Sequence, residues 1–391
     1  MIHDARFGEL NNLLWRKLKL KLNNRYLWVF GIMALVGCGG SQENSQASAS
    51  STIEHAKIYN WRMVTTWPKN LPGMGIAPET IARKVRLMSN GRLNIKVYGA
   101  TELVPALEVF ETVSQGTAQM GHGAAYYWKG KVPIAQLFTS VPFGLTAQEM
   151  NGWLFHGGGM ELWRELYAKY NLVPFPAGNT GVQMAGWFNK EINSLDDIKG
   201  MKMRIPGLGG EVFERAGGTA VNLPGGEIFT SLQSGVIDAT EWVGPFNDLA
   251  FGLHQVAKYY YYPGWQEPGP TLEAIVNKQA YDELPEDLQE ILKAAILTVN
   301  NDLLAEYTAR NNAALHELID VHGVELRKLP DDVIAELAKI SREVVAEIAG
   351  DNPLNKRIYK SYSEFRKTVI EYGEVSERAY INARALQELA P

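Results

Sequence analysis

Hydrophobic positions along this chain repeatedly change period, from every second residue to every third or fourth, and the changes fall at prolines and glycines. Residues 58–66 read as a strand, 78–89 as a helix ended by Gly91, 93–98 as an alternating strand, 105–114 as a helix and 118–124 as a strand. That order, β-α-β-α-β, returns at 201–240. A strand over 201–204 is closed by Pro206 and Gly207, since proline holds its predecessor extended and glycine permits the turn. A helix over 210–216, an extended 219–223, a helix from Pro224 capped by Gly235 and a strand over 236–240 complete it. Residues 105–116 align with 224–235 without a gap, sharing Pro, Glu, Phe and Gly. This suggests two lobes of one plan, although any proline-started, glycine-capped amphipathic helix has this look.

Between and after the repeats, the pattern predicts a helix over 153–170, a strand over 173–175 crossing between lobes, a turn at 178–181 and a strand over 182–189. A helix over 245–256, an aromatic strand over 259–263 and a strand over 272–277 returning to the first lobe follow. A long helix over 286–321, a short strand over 324–329 and charged helices over 331–349 and 353–389 end the chain. The expected fold is α/β: lobe I from 56–175 plus 272–330, lobe II from 176–271, and a C-terminal helical extension over 331–391. Ligands in open α/β sheets sit outside the carboxyl ends of strands. Arg204 and the Glu241-Trp242 pair occupy such ends, and the repeat places His122 where the second copy has Glu241. A hinged cleft would therefore aim His122, Tyr126 and Tyr127 at Arg204, Glu241 and Trp242.

Composition adds a leader. Arg16, Lys17, Lys19, Lys21 and Arg25 precede an apolar run over 26–36, and Leu35-Val-Gly-Cys38 resembles a bacterial lipobox. Residues 1–37 read as a lipoprotein signal peptide, Cys38 as the lipidated N-terminus, and 38–55 as a flexible tether. The lipid would place the protein on a membrane surface. Cys38 is the single cysteine, so no intrachain disulfide exists. Residues 1–37 carry six basic and two acidic side chains, so their removal takes the formal charge from −5 to about −9. An acidic protein is a poor partner for nucleic acid. A Gly-x-Ser-x-Gly elbow, a phosphate loop and His-Glu-x-x-His are all missing from the sequence, which argues against an enzyme.

Asp197-Ile-Lys-Gly200-Met-Lys-Met-Arg204-Ile-Pro-Gly207, with Glu227-Ile-Phe229 and Leu232-Gln-Ser-Gly235-Val-Ile-Asp238-Ala-Thr-Glu241-Trp242, resembles the solute-binding proteins of tripartite ATP-independent periplasmic (TRAP) transporters. The likeness runs over about 58–370. Leu103-Val-Pro105, Ala125-Tyr-Tyr127, Gly178-Asn-Thr180, Trp242-Val-Gly-Pro245 and Glu267-Pro-Gly269 look most like the branch binding 2-oxo acids such as pyruvate with a metal cation. The resemblance implies a two-lobe periplasmic-binding-protein fold with long C-terminal helices, delivery of the ligand to TRAP membrane subunits, and a homodimer in which the C-terminal helix reaches a partner protomer. It also places Gln183 beside the substrate.

The residue types agree with that chemistry. A planar, permanently charged guanidinium is the best fixed partner for a desolvated carboxylate, which makes Arg204 the anchor. Gln183, Glu241, Glu267 and the backbone oxygen of Trp242 form an all-oxygen set suited to sodium or calcium rather than zinc. Trp242, Tyr126, Tyr127 and Phe246 are candidate walls, and Asn179, Asn247 or a tyrosine a candidate for telling a keto group from a hydroxyl. Lactate or another 2-hydroxy acid with calcium, or a dicarboxylate, stays open.

Overall fold

A computed structural model describes residues 57–388, so the leader, Cys38 and the tether lie outside the described residues. Its strands are β1 (Tyr59–Thr65), β2 (Leu93–Tyr98), β3 (Met120–Gly123), β4 (Leu172–Asn179), β5 (Gly186–Phe188), β6 (Lys202–Arg204), β7 (Thr219–Val221), β8 (Ala239–Thr240), β9 (Tyr259–Tyr262), β10 (Thr271–Asn277) and β11 (Glu325–Lys328). They form two sheets, ordered β2-β1-β3-β10-β4 and β11-β9-β5-β8-β6-β7. In the first, β1 runs parallel to β2 and β3, while β10 is antiparallel to β3 and β4. In the second, β6 runs parallel to β7 and β8. Each β-α-β-α-β repeat thus supplies a parallel core, and an antiparallel strand is added to it.

Thr271 pairs with Asn179, so the chain leaves and re-enters the first sheet at adjacent positions. Everything between them forms most of the second sheet, an arrangement suited to hinge motion. The helix Glu286–His316 buries Leu288, Leu292, Ile296, Val299, Leu303 and Tyr307. Its Asn300 Oδ1 accepts from the Gly178 amide (3.0 Å), and Tyr307 OH donates to Asn247 Oδ1 (2.6 Å). One helix therefore bonds to a strand of the first sheet and to a residue that follows β8 of the second. The helix Asp331–Glu347 packs on Gly207–Arg215 of the second sheet's side, and Pro353–Val375 packs on Ala147–His156 and Gly159–Ala168 of the first.

Several expectations are corrected. Residues 324–329 were assigned to the first lobe, but β11 pairs with β9 in the second sheet. The helix expected over 153–170 is two, Ala147–His156 and Gly159–Ala168, because Gly158 turns left-handed (φ 83°) and ends the first. The strand expected over 182–189 shrinks to β5. The amides of Gln183 and Met184 bond instead to Glu267 and Val243 carbonyls (both 3.1 Å), outside any ladder. Gly178 and Asn179 extend β4 rather than turn. The last helix divides at Ser376 into Pro353–Val375 and Glu377–Glu388. Among the described residues no helix is long and apolar enough to cross a membrane.

Candidate functional site

Strand register builds one side of the site. Arg204 ends β6 opposite Thr240 of β8, so Glu241 and Trp242 leave the sheet beside the arginine. The Arg204 Nη1 group donates to the Glu241 carboxylate and to its backbone oxygen (3.3 Å), and Nε donates to Leu223 O (3.2 Å). The Trp242 ring lies 5.1 Å from the guanidinium carbon, within cation–π range. Gly225 makes room for that ring: a Cβ there would stand 2.5 Å from its Cη2.

The first sheet supplies the other side. After β3 the turn Ala125–Trp128 presents Tyr126 and Tyr127, whose rings meet edge to face at 4.7 Å. Tyr127 OH accepts from Arg204 Nη2 (3.1 Å), a direct bond between the two lobes. Gly207, at φ 65°, lets the second sheet approach Tyr126 closely: its Cβ would meet that of Tyr126 at 3.2 Å. Trp67, just past β1, packs on Tyr127 (6.0 Å) and Trp242 (6.3 Å). Sequence reasoning missed Trp67, although it follows its strand as Tyr126 follows β3.

Gln183 and Glu267 arrive on neighbouring loops, joined by the Gln183 amide to the Glu267 carbonyl. Gln183 Nε2 donates to Thr180 Oγ1 (3.1 Å), which commits the amide nitrogen and leaves the oxygen. All of these residues are buried, Arg204 to 1 % and Glu241 to 0 % exposure. Yet Gln183 Oε1, Glu241 Oε2, Glu267 Oε2 and Trp242 Nε1 have no hydrogen-bond partner. Buried polar atoms are normally paired, and leaving one unpaired costs roughly 1–3 kcal/mol.

The charges are equally unresolved. Burial, opposed by Arg204, raises the Glu241 carboxyl to about 7. Burial and then the Glu241 charge push Glu267 well above the usual range. Burial alone would lower Arg204, but Tyr127 and Glu241 hold its proton above the ordinary value. One guanidinium faces two acids, and a second cation would let both ionise. Among the described residues no group of three or more His, Cys, Asp and Glu is placed to hold a metal ion by itself. The donor set is two carboxylates and an amide oxygen, which fits a hard cation and not a thiolate- or imidazole-seeking metal.

Four candidates are engaged elsewhere. His122 Nδ1 accepts from Trp67 Nε1 (2.8 Å) and its Nε2 bonds Ala177 O (3.2 Å), so a neutral imidazole spends both nitrogens; burial lowers it to about 4. The expected ligand contact is thereby corrected to a brace for Trp67. Asn179 is likewise saturated, donating to Gly269 O (3.0 Å) and accepting from the Gly181 amide (2.9 Å), which pins the chain crossings together. Phe246 packs against Tyr307 and under Arg310 instead of lining the Arg204 cluster. Asn247 spends its amide on Pro72 O and Tyr307.

The family model DctP, bacterial extracellular solute-binding protein family 7, matches residues 63–351. The monocarboxylate 2-oxoacid-binding periplasmic protein of Nostoc sp. is 45% identical over 349 residues, 89% of this chain and 94% of that protein. A TRAP periplasmic solute-binding protein from Pseudoalteromonas atlantica, solved with bound sodium and pyruvate, is 44% identical with TM-score 0.81, covering 83% of this chain and 99% of that one. Another from Colwellia psychrerythraea, with bound calcium and pyruvate, is 42% identical with TM-score 0.81, covering 84% and 100%. The chain belongs to family 7 of the bacterial extracellular solute-binding proteins, the extracytoplasmic solute receptors of TRAP transporters.

Proposed function

We propose that the receptor encloses a small 2-oxo monocarboxylate, such as pyruvate, together with a sodium or calcium ion. Arg204 anchors the carboxylate. Gln183 Oε1, the Glu241 and Glu267 carboxylates and the Trp242 backbone oxygen hold the cation. Trp242, Tyr126, Tyr127 and Trp67 close the walls. The observation that carries this reading is the set of three unpartnered buried oxygens, on Gln183, Glu241 and Glu267, the two acids lying within reach of each other's charge and of Arg204 and Gln183 bonded to Glu267 through the backbone. When bound, the cation would supply the positive charge that balances the two acids. The relatives that bind pyruvate with sodium or calcium support the same choice.

The protein acts as a receptor, as its family does: the buried groups around Arg204 bind and neutralise. The closed cleft would present a surface for the membrane subunits of the transporter. Cys38 would anchor the chain to a membrane from the periplasmic space. The helices Pro353–Val375 and Glu377–Glu388 carry exposed Tyr372, Val375, Tyr380, Ile381 and Leu386, which supports their use in a homodimer.

Thermal unfolding with pyruvate, with and without sodium or calcium, tests the reading. A ligand at about a hundred times its Kd stabilises by about 2.7 kcal/mol. A cation-dependent rise in Tm that vanishes in Arg204→Ala is expected. No rise with any small carboxylate would overturn the assignment.

A further inference from the structure

Two buried carboxylates stand outside the proposed donor set, and they are built alike. On the first sheet, Glu273 of β10 lies opposite Gly123 of β3 and is completely buried. It accepts from Trp128 Nε1 and from Tyr167 OH (2.9 Å). Trp128 is the last residue of the turn that presents Tyr126 and Tyr127.

On the second sheet, Asp248 sits in the helix Pro245–Ala250, 1 % exposed. Its Oδ2 accepts from Trp187 Nε1 (2.9 Å) and Tyr260 OH (2.7 Å), while Oδ1 accepts from the amides of Val243 (3.2 Å) and Gly244 (3.1 Å). Those amides belong to the residues just after Glu241 and Trp242. Trp187 and Tyr260 are stacked at 4.1 Å on β5 and β9.

Each lobe therefore bonds one acid to an indole and a phenol, and each acid ties the turn after a strand end to the scaffold behind it. We propose that Glu273 and Asp248 are positioning residues for ligand binding, holding the Tyr126-Tyr127 turn and the Glu241-Trp242 turn in their bound geometry. This rests on the ligand reading given above.

The chemistry of the donors supports the choice of acid. An indole N–H can only donate, so its ring is oriented solely by an acceptor, and a carboxylate oxygen is the strongest acceptor a side chain offers. Four donors converge on Asp248, which only a group with two accepting oxygens can satisfy. Burial raises Glu273 to about 7 and Asp248 to about 6, so the fold bears a desolvation cost at both places. Such rigid support behind binding groups is what keeps them within tolerance of a productive geometry.

The two sites respond differently to amides. In Glu273→Gln the oxygen still accepts from Trp128 while the new N–H donates to the Tyr167 oxygen. In Asp248→Asn the NH2 group confronts the Trp187 N–H, which cannot accept. Calorimetric titration with pyruvate in sodium or calcium chloride, on variants shown folded by circular dichroism, tests this. Glu273→Leu and Asp248→Asn are expected to weaken pyruvate binding about tenfold or more, and Glu273→Gln to remain within about threefold of wild type. Trp128→Phe, which deletes the donor but keeps a ring, is expected to weaken binding as Glu273→Leu does, and serves if the leucine variant does not fold. Variants that lower Tm yet bind pyruvate as wild type does would overturn the positioning role while Arg204→Ala still abolishes binding. Full affinity in Arg204→Ala would overturn the ligand reading and this proposal with it.

Discussion

The two sheets bring opposite chemistry to the same place. From the first come neutral groups: the Tyr126 and Tyr127 phenols, Trp67 and a His122 held uncharged by burial and by the Trp67 indole N–H that donates to its Nδ1. From the second and its loops come the ionisable ones, Arg204, Glu241 and Glu267, all buried against one another. The second lobe therefore carries the electrostatics, and the first lobe closes over it with aromatic surface and a single phenol on the guanidinium. A low-dielectric cover strengthens every charge interaction beneath it, so closure and ion binding reinforce each other.

The comparison breaks most severely at Arg204. Arg204→Ala removes the one buried arginine or lysine among the described residues and leaves Glu241 unpaired; losing one partner of a buried charge pair costs about 2–5 kcal/mol. Pyruvate affinity should fall at least about a hundredfold, read by calorimetry. Next comes pH. Glu241 has a folded-state value raised from 4.5 to about 7, so the cation-free fold holds a proton that the unfolded chain releases. Its stability is therefore greatest below about 4.5 and declines as pH rises to about 7, by up to ~3 kcal/mol. Melting curves in a sodium- and calcium-free buffer at pH 5 and 8 should show the decline, and calcium should cancel it.

Glu267→Gln keeps the shape but removes one of the two competing charges. It should raise the cation-free Tm above neutral pH and weaken the cation dependence of pyruvate binding about tenfold. The smallest effect belongs to the first lobe: Tyr127→Phe deletes one neutral hydroxyl on Arg204 and should cost about 1 kcal/mol, or roughly fivefold in Kd. A Tyr127→Phe loss equal to that of Arg204→Ala would contradict the division of labour between the lobes.

The charged half was legible in the sequence because Arg204, Glu241 and Trp242 terminate strands whose boundaries are written in prolines and glycines. Gln183 and Glu267 sit on irregular loops, where no periodicity marks direction; family resemblance pointed to Gln183, and Glu267 was marked besides by its place just after the aromatic strand. The repeat alignment carried His122 to the correct strand but said nothing of Trp67, whose indole claims its Nδ1. Asn179 and Phe246 failed as ligand candidates for the same reason: their partners, Gly269 and Arg310, come from distant parts of the chain. Strand β11 went to the wrong lobe because four residues beside a long helix carry no information about which sheet they join. Glu273 is the one charged residue of β10, and its indole and phenol partners are 145 and 106 residues away, so nothing local marks it.

The central claim is that a cation and a carboxylate occupy one site and each needs the other. Calorimetric titration of pyruvate into the chelated protein, repeated at increasing sodium and then calcium, tests it most directly. The account predicts weak binding without either ion, affinity that climbs with ion concentration to a plateau, and proton release on loading between about pH 5 and 7, fading above it, as Glu241 gives up its proton. Pyruvate binding that is equally tight with and without the ions, and with no proton released, would contradict it.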